Sequence, residues 1–170
     1  MFHLFMYLGT ASVSHAVAAA ATTYAQQDGS CSNASGPPLH VKVVGLKDLS
    51  GRLKLEIFPP TEADFLKDDR KLKAEGRSFR RVWSGSPPGR DAALCIRAPG
   101  PGTWAVLFTH DRDGKNKFNP WRDGAGLPSN HPLGLTRPKV KPALVTIPAG
   151  GMSIEIRAQY LKGLNGFQPL

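Results

Sequence analysis

The chain has 170 residues, 41% of them hydrophobic, with 22 Lys and Arg against 13 Asp and Glu and a formal charge of +9. That length supports one domain with a substantial core, and the apolar content excludes a disordered polyelectrolyte. The 18 Gly and 15 Pro are scattered among short apolar runs without a period, which excludes a collagen-like chain and suits an all-β domain rich in turns.

Residues 1–25 carry no Lys, Arg, Asp or Glu. An apolar stretch from Phe2 to Val17 is followed by small residues, and Thr23-Tyr24-Ala25 has the small side chains that a signal peptidase reads. This stretch is expected to be a secretory signal peptide, although His3 stands where Lys or Arg is usual. The apolar run is too short and too interrupted to span a bilayer comfortably. Export to the periplasm or beyond follows, and with it an oxidising compartment. Cys31 and Cys95 are the two cysteines of the chain, and there they are expected to form one disulfide.

Residues 26–38 read as a polar linker ending in Gly36-Pro37-Pro38. Residues 39–46 and 52–58 alternate apolar and polar side chains, and the pair is expected to be a β-hairpin across the turn 47–51. Pro59-Pro60 stops the second strand, and Thr61 caps a short helical turn. Residues 67–81 are strongly charged and are expected to be a solvated excursion. Residues 80–84, 92–97 and 103–109 follow as strands, the last rich in aromatic and β-branched residues. A loop runs over 110–137. Residues 138–147 make a strand with Pro142 on an edge or bulge, and 152–160 alternate cleanly. The domain is assigned to residues 39–162, with 163–170 as a C-terminal tail. The fold class is an all-β, Ig-like or transthyretin-like antiparallel β-sandwich of about seven strands.

The loop holds the candidate chemistry. His110, Asp111, Asp113, Asn116, Asn119, Trp121, Asp123, Ser129 and Asn130 are its binding-loop candidates. Asp111 and Asp113 begin like a calcium loop, but counting from Asp111 puts Lys115, Lys117 and Arg122 at positions five, seven and twelve, where oxygen donors belong. No metal and no cofactor is therefore expected, and the Asp, Asn and Gly114 residues read as a tight turn. His110 beside Asp111 could serve as a general base for hydrolysis, but no nucleophile is placed next to it, and no catalytic residue is assigned. Phe118 and Trp121 are expected to fold back over the core; the alternative is a surface that contacts sugar or lipid.

Gly102-Thr-Trp-Ala-Val, His110-Asp111, Asp113-Gly114, Lys117-Phe118-Asn119 and Arg122-Asp123-Gly-Ala-Gly126, continuing to Pro128-Ser-Asn130, together resemble the bacterial exported family "domain of unknown function 2141". Val-x-Val-x-Gly-Leu at 41–46 and Lys139 to Ala143 are similar to it as well. Two departures stand out: Asn119 replaces the usual Asp, and Leu127-Pro128 stand where a Phe often precedes Ser-Asn. The resemblance implies an exported β-sandwich and nothing catalytic. The combined expectation is a non-enzymatic binding or accessory module of the cell envelope, with a calcium-stabilised module or a hydrolase using His110 and Asp111 as alternatives. Its partner would be an acidic envelope surface or a glycan. Nucleic acid and integral membrane insertion of the processed chain are not expected.

Overall fold

The computed structural model describes Cys31 and residues 34–170. The expected signal peptide and most of the expected linker lie outside the described residues. Among the described residues, ten strands form two sheets. The smaller has the order β4-β1-β8, from Ala92–Arg97, Pro38–Val44 and Met152–Arg157. The larger runs β10-β9-β6-β5-β2-β3, and β7 also pairs with β5. Its strands are β2 (Arg52–Phe58), β3 (Arg80–Ser84), β5 (Gly102–Asp111), β6 (Gly124–Gly126), β7 (Leu144–Ile147), β9 (Gln159–Leu161) and β10 (Phe167–Pro169). The fold is an all-β sandwich. Among the described residues no helix is long and apolar enough to cross a membrane.

The period-two alternation fixes the core. Leu39, Val41 and Val43 from β1, with Leu94 and Ile96 from β4, face Leu53, Leu55, Ile57, Val106 and Phe108 of the larger sheet. Trp104 and Phe108 share this face, as their spacing suggests. Burying each such aliphatic or aromatic side chain contributes about 1.5–3 kcal/mol before chain entropy is counted.

The hairpin expected from residues 39–58 does not form. β1 and β2 sit in different sheets, because their apolar faces meet across the sandwich instead of their edges pairing side by side. β1 instead pairs antiparallel with β4 and parallel with β8. The chain between β1 and β8 builds most of the larger sheet, which makes that parallel partnership possible.

The charged stretch 67–81 is also more than a solvated excursion. Helix α1 (Asp69–Ala74) forms there, and the Asp68 side chain caps it by accepting from the N–H groups of Arg70 and Lys71. Its one buried side chain, Leu72, joins Phe58, Phe65, Ala105, Leu127 and Ala143 in a second core on the outer face of the larger sheet. That outer face is therefore covered in part. Pro142 lies in a 3-10 turn (Lys141–Ala143) ahead of β7 rather than within a strand, where it would have cost a ladder hydrogen bond. Residues 163–170 carry β10, paired with β9.

The disulfide between Cys31 and Cys95 is formed, with a Cα–Cα distance of 5.5 Å. It ties the segment ahead of β1 to β4. Arg97 reinforces the attachment, donating from Nε to the Cys31 carbonyl and from Nη1 to the Gly36 carbonyl (2.8 Å).

Candidate functional site

His110 and Asp111 end β5, and the loop that follows doubles back on them. His110 has no solvent exposure. Its Nε2 lies 2.8 Å from the Ser50 carbonyl, which can only accept, so this nitrogen carries the proton. Nδ1 then accepts from the Tyr160 hydroxyl at 2.7 Å, and that oxygen accepts the Lys47 N–H at 2.9 Å. Burial pushes the imidazole below its usual range and the Tyr160 phenol up to about 12. With both ring nitrogens engaged and no face open, His110 offers no base to a substrate. The hydrolase alternative fails on this geometry.

Asp111, Asp113 and Asp123 converge, each bringing a carboxylate oxygen to within 4.8 Å of the others. Asp111 Oδ2 accepts from Arg52 Nε and from the Asn116 N–H, both at 3.0 Å. Asp123 Oδ1 accepts the Arg112 N–H (2.9 Å) and its Oδ2 the Asn119 N–H (2.7 Å). Asp113 Oδ1 accepts the Lys115 N–H at 3.1 Å. Gly114 and Asn116 take φ of 69° and 57°, the left-handed turn conformation that Gly and Asn tolerate best. Arg112 turns its guanidinium away, onto the Asp48 carboxylate and the Arg122 carbonyl. That pairing holds Asp48 well below the usual carboxylate range.

On the outer face of the larger sheet, β2, β3, β5, β6 and β10 form one side of a cleft of about 640 Å³. The segment 66–70 and the stretches 116–120 and 133–138 form the rest. Its floor follows from register: Glu56 pairs with Arg81 and Leu107, and Lys54 with Trp83 and Thr109. Glu56 is buried, its Oε1 accepting from Arg81 Nε at 2.7 Å and its Oε2 3.3 Å from Lys54 Nζ. The Lys54 side chain is only 11% exposed. Leu66, Leu107, Phe118, Leu133, Leu135 and Phe167 supply the apolar lining, with the Phe118 and Phe167 rings 5.8 Å apart. Five cations line the cleft (Lys54, Lys67, Arg70, Arg81, Arg137) against three acids (Glu56, Asp68, Asp69).

The model of a bacterial family, described as "Uncharacterized protein conserved in bacteria (DUF2141)", matches residues 41–155, more than half of the chain. The chain belongs to this family. No curated protein and no solved structure matches it. The DUF2141 match runs from β1 into β8 and so takes in the sheet floor of the cleft and the whole aspartate loop, while β9 and β10 lie beyond it.

Of the sequence candidates, the structure brings together Asp111, Asp113 and Asp123, with Asn116 and Asn119 bonded to them through backbone N–H groups. Ser129 and Asn130 sit apart from this cluster. The Asn130 side chain accepts from the Arg157 N–H (2.7 Å) and donates to the Glu155 carbonyl (3.1 Å), clamping the loop to β8. Trp121 is 81% exposed and Phe118 lines the cleft, so neither closes over the core as expected. Sequence reading missed the cleft floor. The signal was available: Trp104-Ala-Val-Leu-Phe108 is apolar at consecutive positions, which requires cover on both faces of the strand.

Proposed function

We propose that this protein is an exported, non-enzymatic binding module of the bacterial cell envelope, and that the cleft on its larger sheet holds a small anion with an apolar body. The observation that carries the reading is the composition of the cleft. A buried Glu56, paired with the partly exposed Lys54 and Arg81, lies beside Leu107, Phe118 and Phe167 in a space of about 640 Å³, within the range of small-molecule sites. Cations outnumber acids among the lining residues, which favours an anionic head group. Export is supported by the charge-free leader at 1–25 and by a disulfide of the kind that persists outside the cytoplasm. The net charge of +9 would favour approach to an acidic envelope surface.

The test uses 1-anilinonaphthalene-8-sulfonate, an apolar anion, as a fluorescent probe, with dodecanoate as competitor. The folded protein should enhance its emission saturably and dodecanoate should reverse the enhancement. Lys54→Met and Phe118→Ala should each weaken both ligands by about tenfold, a loss of the size expected for one charged contact or one apolar wall. Wild-type affinity in both variants would refute the reading.

A further inference from the structure

We propose that Asp111, Asp113 and Asp123 form a calcium site. The first support is convergence: three carboxylates from positions 12 residues apart or less each place an oxygen within 4.8 Å of the others. Opposite ligands of one Ca²⁺ ion lie about 4.6–5.2 Å apart, twice its usual oxygen distance, so a single ion can bridge them. The second support is independent of the clustering. Among the described residues, Asp111 Oδ1 is the one buried side-chain oxygen or nitrogen without a hydrogen-bond partner, on a residue only 2% exposed. A buried carboxylate oxygen with nothing to accept is costly, and a cation supplies what the protein does not.

The surroundings leave room for that charge. Arg52 neutralises Asp111 through Oδ2 only, on the oxygen that also accepts the Asn116 N–H. Arg112, next in sequence, is committed to Asp48. The Lys115 ammonium, 3.7 Å from Asp113, is on a side chain 73% exposed and can swing into solvent. Backbone N–H bonds from residues 112, 116 and 119 already hold the carboxylates of Asp111 and Asp123 in place, so binding need not order the loop. An all-oxygen donor set selects hard cations, and the irregular loop suits Ca²⁺ better than the strict octahedron of Mg²⁺. The register of an EF-hand misses this site because Asp123, not the Arg122 at position twelve, closes it.

The experiment is titration of chelator-treated protein with Ca²⁺, read by calorimetry and by displacement of Tb³⁺ whose luminescence is sensitised by Trp121, two residues from Asp123. A dissociation constant on the order of 10⁻⁴–10⁻³ M is expected, with a rise in Tm at about 5 mM Ca²⁺. Asp113→Asn should weaken binding about tenfold or more while leaving the Tm of the chelated protein unchanged, and Lys115→Ala should tighten it a few-fold. The proposal is overturned by the absence of heat and Tm shift at about 10 mM Ca²⁺, by an equal response to Mg²⁺, or by Tb³⁺ luminescence that Asp113→Asn does not alter.

Discussion

Replacing Tyr160 by Phe isolates the network that holds His110. The phenyl ring keeps its place against β6, where the backbone at Gly124 approaches it closely, so little packing is lost. Two partners lose the hydroxyl. Lys47 is an exposed residue, and water can replace the acceptor of its N–H. His110 Nδ1 has no such recourse, because the ring is fully buried and its other nitrogen is fixed by the Ser50 carbonyl. Leaving one buried acceptor unmet costs about 1–3 kcal/mol, and that is the expected loss of stability. Urea unfolding at pH 7.5, followed by tryptophan fluorescence, measures it. For a domain of this size the corresponding fall in Tm is about 3–5 °C per kcal/mol. A loss below about 0.5 kcal/mol would mean that Nδ1 does not depend on this donor.

Three further outcomes follow from the same geometry. Because burial lowers the His110 pKa from 6.5, the unfolded chain binds a proton that the folded chain does not; stability is fully present above pH 6.5 and is lost as pH falls below it, at up to about 1.4 kcal/mol per unit. Urea midpoints between pH 7.5 and 5 should show this slope in the wild type and a flatter one in His110→Gln; parallel curves would count against it. Asp48, held below its model-peptide value of 3.8, acts in the same direction but only in a lower pH window. Reducing the disulfide, which joins residues 64 apart, should cost up to about 4 kcal/mol by release of the unfolded chain, read as a shift in urea midpoint with and without dithiothreitol. Gly126→Ala should cost about 1–3 kcal/mol, since its Cβ would stand 2.7 Å from the Arg157 carbonyl oxygen and 2.6 Å from Ile156 Cγ2; thermal unfolding equal to wild type would show that β6 and β8 can move apart.

Much of the fold is legible in the sequence because strand alternation is local. The inward faces at Leu39, Val41 and Val43, and at Leu53, Leu55 and Ile57, can be read directly, but their partners cannot. Two consecutive alternating strands read equally well as a hairpin or as opposite walls of a sandwich, and the sheet arrangement decides. Leu72 is a single apolar residue among charges, so no period marks helix α1; the cover it gives Phe58 and Phe65 is a tertiary fact. β6, Gly-Ala-Gly, has almost no side chain to signal with, and its small size is what allows the close approach of β8. The aspartate loop was visible as residue types. Which carboxylates meet depended on how 114–122 folds back, and fixed EF-hand spacing does not describe that path.

The claim that matters most is that the outer face of the larger sheet is a ligand site. A ¹H–¹⁵N correlation spectrum recorded during titration with dodecanoate tests it directly. Saturable shifts are expected to gather on Lys54, Glu56, Leu107, Thr109, Phe118 and Phe167, with the opposite sheet, at Val41 and Ile154, unmoved. Shifts that never saturate, or that gather on the smaller sheet, would contradict it.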